Sequence, residues 1–144
     1  MPSPFPHRYE TRLRWVQGRA ALLSSPGAPE LEGAPPPQFD GPQGRWSPET
    51  LLLASLDLCL MTTFMALAGR AGLTVLDYQS LAAGSLDRTA AGLAFTRIVQ
   101  TVRLSVYGDD VERARGLMEK AKKHCLVSNA LRTPPELELE VLPA

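Results

Sequence analysis

Net charge is missing from this sequence: fifteen Lys plus Arg are matched by fifteen Asp plus Glu. No basic field therefore exists to attract nucleic acid or anionic lipid, and neither is expected as a partner. Cysteine is scarce, with Cys59 and Cys125 alone, and so is histidine, with His7 and His124. Those four have no recognised zinc-ligand spacing, so no metal or cofactor is expected. The opening residues MPSPFPHRYE hold prolines and a carboxylate where a signal peptide needs an apolar run, which sets the expectation of a cytoplasmic protein. There, two cysteines read as free thiols, a redox pair or metal ligands rather than as a structural staple. No internal repeat appears, and 144 residues suit a single domain spanning 1–144.

What the sequence does have is one long apolar stretch, Ser47 to Ala68, with Cys59 near its middle. Ser47 can cap, Pro48 fits the first helical position, and Glu49 puts negative charge in the first turn, so a helix is predicted from Pro48. Apolar residues occupy nearly every face from Leu51 onward, which predicts a helix buried on most sides. Its length approaches a membrane span. Ser55, Asp57, Thr62 and Thr63 interrupt it, however, and the capping signals and the Gly69-Arg70-Ala71-Gly72 ending suit a soluble core. Asp57 inside such a helix needs a hydrogen-bond partner or an exposed notch.

Around this helix the pattern is that of strands. His7 to Trp15 alternates as a half-buried antiparallel strand, Gln17-Gly18 turns, and Arg19 to Ser24 completes a hairpin. Ser25 to Arg45 holds six prolines and four glycines, which predicts a long loop with an edge strand near Leu31. Such a loop is a candidate wall for a site near Cys59. Thr74 to Leu86 and Leu93 to Tyr107 form a long hairpin turning at Thr89-Ala90-Ala91-Gly92. In its second arm Ile98, Gln100, Val102, Leu104 and Val106 face one way. Gly108-Asp109-Asp110 stops that strand and caps a second helix, on which Val111, Ala114, Met118, Ala121 and Cys125 share an apolar face. Leu137, Leu139 and Val141 alternate with glutamates in a final strand. The order predicts an α+β fold with an antiparallel sheet.

A mid-helix thiol such as Cys59 gains little from the helix dipole, and burial raises its pKa. To act as a nucleophile it needs a nearby cation, and Arg19 and Arg45 are the candidates. Glu49 could orient such an arginine through a carboxylate bridge. Ten residues separate Glu49 from Cys59, about 15 Å along one helix and roughly 80° around it. If the two share a site, Glu49 of one chain must reach Cys59 of another, which implies an intertwined two-fold dimer. Cys125, at a helix C-terminus, is disfavoured as a thiolate, so Cys59 would attack and Cys125 resolve should they pair. A cysteine on an apolar face is most often a small core residue, Glu49 can be a simple first-turn charge, and exposed arginines are commonly just solvated. His124 neighbours Cys125 but does not face it on a helix.

The stretch from Gly44-Arg45-Trp46-Ser47-Pro48-Glu49 through Cys59, followed by His124-Cys125-Leu126-Val127-Ser128-Asn129-Ala130-Leu131, resembles the paired signature of the OsmC/Ohr family of thiol peroxidases. The order of elements agrees over nearly the whole chain. The resemblance implies an OsmC-like fold, with antiparallel sheets wrapped around two central helices in an intertwined homodimer and two sites at the interface. It further implies reduction of organic hydroperoxides: Cys59 becomes a sulfenic acid, Cys125 closes a disulfide with it, and a dithiol such as a lipoyl group restores both. Glu49 matches the carboxylate that pairs with the activating arginine. Ohr-type members carry that arginine in the first hairpin, as Arg19 is placed. OsmC-type members carry it before the Phe of the loop, where this chain has Gln38-Phe39. Arg19 is thus the first choice and Arg45 the reserve. Leu126, where many relatives have proline, and Trp46-Ser47, where many have Thr-Asn, mark a less typical branch.

Two other readings use the same residues. One is a non-catalytic dimer binding an apolar small molecule in the interfacial pocket. The other is a Cys-dependent hydrolase pairing Cys59 with His124.

Overall fold

The computed structural model describes residues 4–144. The first three residues of the expected domain and of the opening segment lie outside them. Two compact units divide the chain, Met1–Leu51 and Leu52–Ala144, and one helix, α1 (Pro48–Arg70), contributes residues to both.

The first unit is a small antiparallel sheet in the order β1 (Arg12–Gln17), β2 (Ala20–Ser24), β3 (Leu31–Gly33). The alternation that begins at His7 becomes a strand only at Arg12. The five-residue partner β2 ends there, with Arg12 opposite Ser24, and residues before it have no ladder to join. Every residue of β1 is exposed, so the expected half-buried strand is not found within one chain. The hairpin turns through Gly18 and Arg19, between the paired Gln17 and Ala20. Gly18 takes the left-handed φ of +56° that this two-residue turn requires. Arg19 thus stands in the turn and not, as expected, at the start of β2. The Pro-rich segment holds one 3-10 turn, Pro37–Phe39. It is tied to the edge strand by Trp46 N–H donating to the Glu32 carbonyl at 3.3 Å and Ala34 N–H to the Trp46 carbonyl at 2.9 Å.

α1 begins at Pro48 as expected, with a reciprocal cap. Ser47 N–H donates to Thr50 Oγ1 at 2.9 Å, and Thr50 N–H donates back to Ser47 Oγ at 3.2 Å. At the other end Leu73 N–H reaches the Ala68 carbonyl at 2.9 Å and Gly72 takes φ +69°, the geometry a glycine C-cap provides. The helix runs two residues past Ala68 for this reason.

In the second unit, β4 (Val75–Thr89), β5 (Gly92–Val106) and β6 (Glu136–Pro143) form a sheet in that order. The long hairpin turns at Ala90-Ala91, between the paired Thr89 and Gly92. A 3-10 turn, Gly108–Asp110, leads into α2 (Val111–His124), and α3 (Leu126–Asn129) follows. Asp110 makes no side-chain cap to α2; its carboxylate meets Arg113 at 3.4 Å. One expectation is corrected here: β6 pairs with β5 in parallel, Val99 opposite Glu136 through Val106 opposite Pro143, so the sheet is mixed. The crossover through α2 returns the chain to the end where β5 began, which a short hairpin cannot do.

Ile98, Gln100, Val102, Leu104 and Val106 of β5 are all buried on one face, as their alternation predicts. With Leu60, Phe64, Ala68, Leu73, Ala114, Met118, Ala121 and Val141, the last three residues of that row, Val102, Leu104 and Val106, make the core. α1 departs from expectation. Only Leu56, Leu60, Phe64 and Ala68, one stripe at four-residue spacing, are buried, while Leu58 is 61% exposed and Met65 42%. Helix α1 is long and apolar enough to cross a membrane by length and composition alone. The Asp57 carboxylate and the buried stripe nevertheless tie it to this core. Gly84 permits its close approach, because a Cβ there would meet the Phe95 ring at 2.7 Å and Leu53 at 3.2 Å.

Candidate active site

Cys59 and Cys125 belong to the second unit, both as free thiols, and each shifts the acidity of the other. Cys59 sits on the middle of α1, half-buried, and Cys125 is 1% exposed. Cys125 is not a helical residue. α2 ends at His124, and Cys125 takes an extended conformation (φ −68°, ψ 108°) before α3 begins at Leu126. That break turns the backbone amides of α3 toward the sulfurs.

The two thiols are driven apart in acidity. Burial pushes Cys59 up, but the Val127 backbone, the Cys125 side chain, the Leu126 backbone and the Thr63 hydroxyl together outweigh it and hold the thiol below its ordinary value. Donors aimed at a thiolate stabilise the charged form. For Cys125 burial dominates, and the neighbouring Cys59 adds to it; the Ser128 and Val127 backbone groups only partly offset the rise, leaving the thiol at about 11. The expected asymmetry is present, yet its main source is burial and not the α2 dipole. The donors to Cys59 that sequence reasoning missed are the backbone groups of Leu126 and Val127 and the Thr63 hydroxyl. Thr63 stands four residues after Cys59, a spacing that places it on the same helix face. The α3 amides left no sequence signal beyond the break at Cys125.

Asp57 accepts a hydrogen bond from Gln100 Nε2 at 3.2 Å, so the partner its position demanded comes from β5. Tyr78 of β4 carries a buried hydroxyl with no hydrogen-bond partner among the described residues. Burial, then the Asp57 charge, then Cys125 push its pKa upward.

Arg19 and Glu49 belong to the first unit. Both line a cavity of about 530 Å³ whose walls include Leu13, Leu23, Phe39 and Trp46. The Arg19 guanidinium donates to the Phe39 carbonyl at 2.9 Å and the Asp40 carbonyl at 3.2 Å. Glu49 Oε1 is buried without a hydrogen-bond partner among the described residues. Arg45, the reserve candidate, instead pairs with Glu32 at 2.9 Å and does not line that cavity. His124 is exposed and lines a separate cavity of about 510 Å³ with Thr62, Thr63, Arg70 and Lys120. Among the described residues no three His, Cys, Asp or Glu side chains gather as a metal ligand set.

Known proteins share both the sequence pattern and this architecture. Residues 41–140 match the family described as OsmC-like protein. Peroxiredoxin OsmC of Escherichia coli (strain K12) is 32% identical over 104 residues, 72% of each chain. The uncharacterized protein YmaD of Bacillus subtilis (strain 168) is 29% identical over 109 residues, 73% of each. An OsmC-like protein of unknown function from Vibrio cholerae superposes with a TM-score of 0.83 at 18% identity, covering 95% of this chain and 100% of that one. An organic hydroperoxide resistance protein from Elizabethkingia anophelis superposes with a TM-score of 0.76 at 21% identity, covering 99% and 100%. These solved structures show the same α+β fold, and with the family match over two thirds of its length the chain is a member of the OsmC-like family.

Proposed function

We propose that this protein is a thiol peroxidase that reduces organic hydroperoxides. The observation that carries the reading is the Cys59–Cys125 pair, two interacting thiols of which one is acidified and the other held protonated. The Cys59 thiolate attacks the peroxide O–O bond, taking one oxygen as sulfenic acid and releasing the alcohol. Cys125 then displaces that oxygen as water and closes the disulfide, before a second peroxide can carry Cys59 further. A dithiol, such as a lipoyl group on a carrier protein, reopens it. The kinship with peroxiredoxin OsmC supports the same chemistry.

Arg19 holds the thiolate and polarises the O–O bond in this reading, and Glu49 fixes the arginine. Both already share one cavity, and the Glu49 oxygen without a partner is an acceptor for a guanidinium. Residues 1–144 act as a single functional domain, and the active form is a cytoplasmic homodimer. A second copy would cover Leu58 and Met65, whose exposure leaves the outer face of α1 apolar and wet. The Phe39 and Trp46 walls favour bulky organic peroxides over hydrogen peroxide.

A second reading is a dimer that binds an apolar molecule in the same cavity without turnover, favoured by its largely apolar lining. One experiment separates them. Fully reduced protein is mixed with one equivalent of cumene hydroperoxide, and in parallel with hydrogen peroxide, and thiols are counted by alkylation and intact mass. Loss of both thiols with a two-hydrogen mass decrease in one chain, faster with the organic peroxide, is expected. Thiols that survive both oxidants would overturn the peroxidase reading and leave the ligand-binding one.

A further inference from the structure

Arg70, Lys120 and His124 line one cavity of about 510 Å³ together with Thr62 and Thr63, all within the second unit. No carboxylate lines it. The charges of the chain balance overall, so this one-signed wall is a local feature. Arg45, Arg97, Arg103, Arg113 and Arg115 each meet a carboxylate, whereas no ion pair or side-chain hydrogen bond engages Arg70, Lys120 or His124 among the described residues. The cavity also adjoins the reactive thiol. Thr62 Oγ1 donates to the Cys59 carbonyl at 3.2 Å, and Thr63 is among the groups that hold the Cys59 thiol acidic. Thr63, Ala66 and Arg70 follow Cys59 along α1 and share the cavity wall. At 1.5 Å and 100° per residue they lie about 6, 10 and 16 Å further along the axis, within about 40° of Cys59 around the helix. Lys120 and His124, one turn apart on α2, supply the facing wall, and His124 directly precedes Cys125. A trough therefore starts beside Cys59 and ends at Arg70.

We propose that this trough holds the acid group of a small-molecule co-reactant of Cys59: a carboxylate sits among Arg70, Lys120 and His124 while the reacting end of the same molecule lies at Cys59. The inference rests on the peroxidase reading for what that end is, the hydroperoxide of an oxidant or the thiol of a reductant. The chemistry recognised is the same for both. A carboxylate accepts from guanidinium, ammonium and imidazole N–H groups, and no acid in the wall competes for those donors. Length is set by the trough. An extended chain reaches about 1.2 Å per bond, so about eight to twelve bonds between acid and reacting atom bridge from Cys59 to the three basic side chains. Each exposed charge pair contributes only a few-fold in affinity, and selectivity for an acid therefore needs several of them acting together.

The first test needs no peroxide. Maleimidohexanoate and its methyl ester are added separately to the reduced full chain, and alkylation of Cys59 is timed by intact mass and located by peptide mapping. Both probes carry the same reacting ring, so only the acid differs. Wild type is expected to react about fivefold faster with the acid at low salt, an advantage that shrinks as salt rises. Arg70→Gln and Lys120→Gln should each cut that ratio about twofold or more. Lys122→Gln removes the same charge from α2 outside the cavity and should leave the ratio as it is. Equal rates in wild type, or a ratio lowered as much by Lys122→Gln as by Lys120→Gln, would overturn the proposal. Two matched pairs then identify the source of the acid: a terminal hydroperoxide of dodecanoate against its methyl ester as oxidant, and dihydrolipoate against dihydrolipoamide as reductant of the diamide-formed disulfide. A preference for the acid in one pair assigns the trough to that co-reactant, and none in either pair overturns the co-reactant role. Protein that prefers the acid maleimide and the acid dithiol but ignores every peroxide would sink the peroxidase reading alone.

Discussion

Asp57, the one acid within the apolar body of α1, accepts a hydrogen bond from Gln100 Nε2 on β5 at 3.2 Å. The bond joins the central helix to the sheet two residues before the half-buried Cys59. A carboxylate there would otherwise be costly to bury, and the buried amide offsets part of that cost. Asp57→Ala should therefore do more than shorten a side chain, since it leaves Gln100 without its acceptor. A loss of about 1–3 kcal/mol in urea unfolding is expected, and Asp57→Asn should lose less.

The two cysteines should fail differently. Cys59→Ser is expected to abolish peroxide turnover. Cys125→Ser should allow one oxidation of Cys59 and then stall, with the sulfenic acid trapped by a dimedone-type reagent and sulfinic acid accumulating in excess peroxide. Turnover retained by the Cys59 variant would exclude the proposed cycle.

The arginines should separate cleanly in kinetics. Arg19 lines the 530 Å³ cavity with Glu49, whereas Arg45 forms an exposed pair with Glu32. Arg19→Ala is expected to lower kcat/KM by about 10²-fold or more, the scale of removing one electrostatic contact at a reacting centre. Arg45→Ala should leave kcat/KM within a few-fold and cost under about 1 kcal/mol of stability. The reverse ranking would move the activating role to Arg45.

The alkaline limb of stability should report Cys125. Its folded-state value of about 11 lies above the ordinary thiol value, which in the unfolded chain is about 8.5. The folded state therefore holds a proton that the unfolded state gives up between these values. Its contribution is complete below about pH 8.5 and is lost as pH rises toward the folded value. Thermal unfolding of reduced protein should fall faster over this window than that of Cys125→Ser. Cys59, lowered on folding, works in the opposite sense, with a contribution present above the ordinary value and lost as pH falls. Parallel curves for wild type and Cys125→Ser would contradict the assignment.

The outer face of α1 should decide assembly. Leu58→Glu puts a charge on a residue that is already 61% exposed in one chain, so a monomer would tolerate it with little change in folding. The proposed homodimer would not, and the mass in solution measured by light scattering should halve. An unchanged mass would place the two-fold contact elsewhere.

Local rules made much of this molecule legible in its sequence. Ser47, Pro48 and the glycine ending fixed α1 because caps act within one turn. The 98-100-102-104-106 alternation gave the buried face of β5 because pleat geometry leaves no other arrangement. The cysteine pair and its surrounding motif indicated the family. Tertiary structure decided what depends on distant partners. The parallel pairing of β6 follows from the α2 crossover, which no residue of β6 announces. Burial of only one stripe of α1 depends on where its partners stop, and composition alone cannot say that. The acidity of Cys59 comes from amides near residue 127, more than sixty positions away in sequence, and the partner of Asp57 lies 43 residues away at Gln100. Hydrophobic period and capping are properties of neighbours along the chain, while pKa values and buried polar pairs are properties of neighbours in space.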